Sequence, residues 1–347
     1  MYMDEKDMYT LLKQYAEIPG PVGHEETIQQ AIEKDWKKQG LKTNRDRIGN
    51  LFGRLEGSGP HWAIVGHADS LGFIVQQVLT DGFVKVASNT AAAPVDARFL
   101  PGVPLRFLTK EKENVDGIFG LKSGHLISAE ARKDAVSFEE MFVDLGVDSH
   151  EAANELGIDV GVPAVFAMPV TQQQHNVVGP SMDNRIAGTI QTLLARTINS
   201  NEDSPNLTFI STVQEEIGMK GAAAAAKKAD FDAVIVVDVG LVGDIPTAKN
   251  DAMPTKLGAG PTILYKDFSI VYSPAVIEKI EHVAIKNKIP YQKGVFKNYN
   301  TDGVHFFQNG IPTAMIAVPC RYTHTPFETI RLNDMQQTLD LLYRLVA

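Results

Sequence analysis

Six side chains in this chain combine metal-binding chemistry with telling positions: His67, Asp183, Glu215, Glu216, Asp238 and His324. His67 ends the run Trp62-Ala63-Ile64-Val65-Gly66, Glu215 and Glu216 follow the run from Leu207 to Val213, and Asp238 follows Val234 to Val237. His324 lies just beyond Thr313 to Pro319, and Asp183 precedes a helical stretch. Short apolar, β-branched runs read as buried strands of an α/β sheet. Open sheets of that kind place ligands at the C-terminal ends of their strands. If these runs share one sheet, two imidazoles and several carboxylates converge on one edge.

That set exceeds what one tetrahedral zinc needs. It suits two divalent ions about 3.5–4 Å apart, bridged by one carboxylate and one water. Such a pair polarises a carbonyl and acidifies the water, which fits hydrolysis of an amide. A further carboxylate must then take the water's proton and pass it to the leaving amine. Adjacent side chains of an extended segment point to opposite sides, so Glu215 and Glu216 can divide metal binding and proton transfer between them. Asp69, two residues after His67, shares its face. It can accept from the second ring nitrogen of His67 or brace the metal cluster from behind. Each signal alone has a plainer reading: a Glu-Glu pair is commonly a solvated loop, and a strand-end Asp commonly a turn or cap residue. His24, His61, His125, His150, His175, His282 and His305 read as surface or core residues. The joint pattern carries the inference.

The elements around these positions alternate in kind. Residues from about Asp7 to Gly40 show helical periodicity, broken by the loop Ile18-Pro19-Gly20-Pro21-Val22-Gly23-His24. Strands follow over 50–55 and 62–67. From Leu71 to about Ala167 the texture changes to short alternating runs such as Phe83-Val84-Lys85-Val86, broken by Gly and Pro, which predicts a small β-barrel or sandwich. Helix and strand then alternate to the end, with Ser181 or Asn184 as the cap of the helix that begins near Asp183. The predicted fold is therefore α/β: residues 1–70 and 168–347 form a mixed sheet with helices on both faces, and 71–167 form an inserted β-rich domain.

Composition narrows the partners. The 347 residues carry 33 basic and 42 acidic side chains, a net charge of −9, which argues against nucleic acid or an anionic membrane surface. The lone Cys320 permits neither an intrachain disulfide nor a thiolate zinc site, which suits a reducing cytoplasm. The charged N-terminus lacks the apolar core of a secretory leader, and no apolar run reaches the roughly 20 residues of a membrane span. A soluble cytoplasmic protein is expected.

Gly66-His67-Ala68-Asp69 with Leu71-Gly72-Phe73, Met182-Asp183-Asn184-Arg185, Gln214-Glu215-Glu216-Ile217-Gly218, Val237-Asp238, Thr301-Asp302-Gly303 and Arg321-Tyr322-Thr323-His324-Thr325-Pro326-Phe327-Glu328 together resemble the M42 family of metallo-aminopeptidases, from about Gly20 to the C-terminus. The resemblance implies that Asp183 bridges two ions, that Glu216 and His324 complete one site and His67 and Asp238 the other. It makes Glu215 the general base and Asp69 the residue that orients the site. It further implies two divalent ions per subunit, zinc or cobalt with manganese as a third option. A PDZ-like or barrel dimerisation domain is implied at 71–167, and homodimers that assemble into a tetrahedral dodecamer admitting short peptides. Ser70 stands where the family usually has Glu, and Gly303 where Ala is common. Two other readings compete: a metal-independent glycoside hydrolase using paired carboxylates, and an assembly scaffold with a degenerate site. The residue preferred at the substrate's N-terminus is not legible, although Lys249, Asp251, Lys256, Lys293 and Lys297 lie in loops that could reach it.

Overall fold

The computed structural model describes residues 4–90, 95–110, 112–130, 133–198, 205–227, 229–248 and 253–347. The chain divides into two compact units. The first runs to Ser70, resumes over Val170–Thr323 and closes with Phe327–Ala347. The second is Leu71–Pro169, with the turn residues His324–Pro326 grouped with it.

The first unit is built on an eleven-stranded mixed sheet. Its centre reads Pro205–Thr212, Ser58–His67, Ala233–Leu241 and Thr313–Arg321 in spatial order, all parallel. These four are the apolar runs of the sequence, and their central residues are fully buried. Parallel central strands need cover on both faces, and two glycines show where it comes from. A Cβ at Gly66 would strike Ala187 of the helix Met182–Thr197, whereas one at Gly303, opening the helix Gly303–Gln308, would meet Val236 and Thr313. Val236 pairs with Val65, one residue from Gly66 and therefore on the opposite face. One helix covers each face there. The same crowding leaves little room for the alanine that the resemblance anticipates at 303. Among the described residues no helix is long and apolar enough to cross a membrane.

The helix after Asp183 starts later than the pattern suggests. Ser181 is left-handed (φ 62°) and makes no side-chain cap, and Asp183 and Asn184 are non-helical. Asn184 is the working cap: its Oδ1 accepts from the Ala187 N–H at 3.1 Å while its amide donates to the Val237 carbonyl at 2.9 Å. Helix start and strand end are thus tied together next to Asp238.

The second unit is a closed six-stranded antiparallel barrel, ordered Phe73–Val78, Val84–Ser88, Phe142–Asp144, Val115–Gly120, Pro104–Phe107 and Pro163–Phe166. Closure removes free strand edges, which solves the problem a short, strongly twisted sheet would otherwise have. Phe73 lies at the centre of its core, edge-on to Phe119 at 5.1 Å and to Phe166 at 5.5 Å.

Candidate metal centre

The four parallel strands deliver their chemistry to one edge, as their registers require. Thr212 pairs with His67, and Asp238 with Ala317, so the residues just beyond these positions share one end of the sheet. His67 Nε2 lies 3.1 Å from Asp183 Oδ1, 3.9 Å from Asp238 Oδ2 and 4.0 Å from Glu215 Oε2. Three groups have ligand atoms within 4.8 Å of one another: His67, Asp183 and Asp238; Asp183, Glu216 and His324; and His67, Glu215 and Glu216. Asp183 belongs to the first two. His324 enters from the turn after Thr313–Arg321, and both ends of that turn, Thr323 and Phe327, belong to the sheet unit. None of the other histidines belongs to such a group among the described residues.

The backbone around these side chains is bent in an uncommon way. Ser181, Gln214, Tyr322 and His324 are all non-glycine residues with left-handed φ, between 55° and 62°. Such residues cost of order 1 kcal/mol each and persist where the surroundings hold them. Here they turn three separate segments onto the same spot.

Asp69 stands beside the second ring nitrogen of His67, mainly through its backbone. His67 donates from Nδ1 to the main-chain carbonyl of Asp69 at 3.1 Å, with the carboxylate farther off at 3.6 Å. That favours the tautomer in which Nε2 carries the lone pair a metal could use. The Asp69 carboxylate is turned to the paired glutamates instead, accepting from the Glu215 and Glu216 N–H groups at 3.0 Å each. Ser70 is directed away from the cluster, with its N–H and hydroxyl both on the Gly20 carbonyl.

Charge is concentrated here. Burial, and then the neighbouring Asp183 carboxylate, push both Glu216 and Asp238 well above the usual carboxylate range. Burial also raises Glu215, with Glu216, Asp302 and Asp238 adding to the effect and His67 opposing it. Burial pulls the His67 imidazole down, but Asp183, Asp69 and Asp238 outweigh it and hold it well above its ordinary value. Asp302, whose Oδ2 takes the Thr212 hydroxyl, is raised to about 6, mainly by burial. Oxygen and imidazole donors without thiolate suit hard and borderline divalent cations, and buried carboxylates that repel one another are what such cations relieve. The residues fit a metal centre.

Of the two adjacent glutamates, Glu215 is the more open: its side chain is 12% exposed, against 2% for that of His67, while Glu216 is buried at 7%. Asp302, Glu25 and Asn50 are buried polar residues whose part in this region the spacing of the sequence did not announce. The loop charges fare differently. Lys293 pairs with Glu281 at 2.5 Å, and Lys256 is tied through its backbone to Gln292. Lys249 and Asp251 lie outside the described residues.

Comparison with known proteins agrees with this geometry. The family model of the M42 glutamyl aminopeptidases matches residues 49–341. A lysyl aminopeptidase of Pyrococcus furiosus is 28% identical over 96% of this chain and 95% of its own length. An aminopeptidase from the archaeon Desulfurococcus kamchatkensis superposes with a TM-score of 0.92 at 26% identity, covering 99% of this chain and 95% of that one. The TET1 peptidase of Pyrococcus horikoshii, described as able to assemble into a tetrahedron or a large octahedral shell, superposes with a TM-score of 0.86 at 28% identity over 98% and 99% of the two chains. With the family model spanning most of the chain and a buried cluster of metal-capable side chains at the sheet edge, this protein belongs to the M42 family of metal-dependent aminopeptidases.

Proposed function

We propose that the chain is a dinuclear aminopeptidase that removes N-terminal residues from short peptides, with Asp183 shared between two divalent ions. The observation that carries this is the overlap of two ligand groups at Asp183, one with His67 and Asp238 and one with Glu216 and His324. Zinc or cobalt suits these donors, and manganese is a third candidate. Two such ions, when bound, polarise a peptide carbonyl and lower the pKa of a shared water.

The protein's own part follows from placement. His67, favouring one tautomer through Nδ1, presents Nε2 to its site. Glu215, the more open glutamate, is assigned as the general base: a carboxylate oxygen takes the proton of the attacking water and delivers it to the leaving amine. Asp69 orients it by holding the amides of both glutamates. Catalysis is assigned to residues 1–70 and 168–347 and self-association to the inserted 71–167 domain. Homodimers assembling into a tetrahedral dodecamer are the assembly anticipated from the TET1 relative, and the cytoplasm is the location proposed. The family match favours peptide hydrolysis over the glycosidase and scaffold readings.

The test is direct. Purified protein loaded with zinc or cobalt should cleave an aminoacyl-p-nitroanilide. Glu215→Gln should lower kcat by about 10²–10⁴-fold while elemental analysis still finds two ions per chain. Full activity in that variant, or loss of an ion with it, would make Glu215 something other than the base.

A further inference from the structure

The turn that carries the paired glutamates is held in an unusual manner. Four consecutive backbone N–H groups in it donate to side-chain oxygens from distant parts of the chain. Val213 donates to Asn50 Oδ1 at 3.1 Å and Gln214 to Glu25 Oε1 at 3.2 Å. Glu215 and Glu216 donate to the two oxygens of Asp69 at 3.0 Å each. The strand Pro205–Thr212 has ended by this point, so these side chains replace the hydrogen bonds that a neighbouring strand would have supplied. Gln214, immediately before Glu215, sits in the left-handed region at φ 55°. A non-glycine residue does not hold that conformation unaided.

Glu25 and Asn50 are themselves fixed. Glu25 is 6% exposed, and the same Oε1 also accepts the Gly23 N–H at 2.7 Å. Asn50 is fully buried, and its amide donates to Asp46 Oδ2 at 2.7 Å and to the Gly221 carbonyl at 2.9 Å. Gly221 has to be glycine for this, because a Cβ there would collide with Asn50 Oδ1 and with the Val213 backbone. Neither Glu25 nor Asn50 belongs to any of the three metal-capable groups. Glu25 lies outside residues 49–341, which the family model matches.

We infer that Glu25 and Asn50 are positioning residues for the reaction: they anchor the backbone on the N-terminal side of Glu215, as Asp69 anchors it at Glu215 itself, and so set where the base's carboxylate stands. This rests on the assignment of Glu215 as the base. Misplacement of a reacting group by about 1 Å can cost on the order of 10²-fold in rate, so a loosened turn should be visible in kcat.

The experiment uses the full-length, metal-loaded enzyme and an aminoacyl-p-nitroanilide. Glu25→Ala removes the acceptor and should lower kcat by about 10- to 100-fold, with KM and the number of bound ions unchanged. Glu25→Gln keeps a carbonyl oxygen in place and should restore most of the loss. In a Glu215→Gln background, Glu25→Ala should cost nothing further, because the group it positions is gone. If Glu25→Ala does not fold, Glu25→Asp draws the acceptor back by roughly 1.5 Å, one C–C bond, and should show the same selective fall in kcat. Unchanged kcat in a folded variant, a fall that tracks lost metal, or an equal fall in the Glu215→Gln background would each overturn the proposal. An inactive wild type, or a fully active Glu215→Gln, would instead bring down the assignment of the base and this inference with it.

Discussion

The two units of this chain treat charge in opposite ways. At the strand ends of the sheet unit, His67, Asp69, Asp183, Glu216, Asp238 and Asp302 are all buried, and burial and mutual repulsion drive the carboxyls of Glu216, Asp238 and Asp302 up. The barrel buries phenylalanines and keeps its ion pairs outside: Arg106 and Asp116 meet at 2.8 Å with roughly half of each side chain exposed. Guanidinium contact there holds the Asp116 carboxyl below the ordinary range. A region that holds no charged ligand has no reason to pay desolvation for a carboxylate. A region that does so repeatedly, in one spot, is built for a ligand that repays it.

Chelation is the strongest way to break that contrast. Removing divalent cations should abolish turnover and lower the unfolding temperature. Saturating metal at a thousand times its Kd restores about 4 kcal/mol, readable by calorimetry with and without added zinc. The metal-free protein should also show a defined pH dependence. Its raised carboxyls, Asp302, Glu216 and Asp238, keep protons that the unfolded chain releases above about pH 4, so their contribution is complete at low pH and is lost as pH rises, through about 6 for Asp302. His67, also raised, works in the same sense. Asp116, being lowered, works in the other: its contribution is present above the unfolded pKa and is lost on acidification. Metal-free protein whose stability rose from pH 4 to 7 would refute this account of the sheet edge.

Phe73→Ala addresses the barrel side. Its cavity should cost about 3–5 kcal/mol in denaturant unfolding, while ions bound per folded chain stay the same. Loss of metal at equal folded fraction would show that the two regions are less separable in energy than in composition. A smaller effect belongs to Glu25, which burial and the Asp69 charge push up to about 7. The wild type should lose stability between about pH 4.5 and 7 relative to Glu25→Gln, which cannot titrate. Parallel pH profiles for the two proteins would contradict that. Smallest of all, Arg106→Ala should change stability by less than about 1 kcal/mol, as exposed pairs do, and a larger loss would mean that the barrel depends on its surface charges.

Much of this is legible in the amino-acid sequence. The four apolar runs are the four parallel strands, because a strand buried on both faces must be apolar throughout. The change of texture after Leu71 foretold a β-rich stretch, because turn residues at short intervals permit little else. The six metal-capable residues stood out because they end strands or precede a helix, both local properties. Their meeting is a property of the sheet: strand order, register and the left-handed turns at Gln214 and His324 bring them together. Only the fold could make Asp69, beside the imidazole, also the holder of two amides, or pair Lys293 with Glu281. Asn50 and Glu25 reach the turn that carries Glu215 and Glu216 across 163 and 189 residues of sequence. Local propensity carries no information at that distance. What a side chain is follows from the chain itself, but which backbone amide it finds is settled when the packed core leaves one place for it to go.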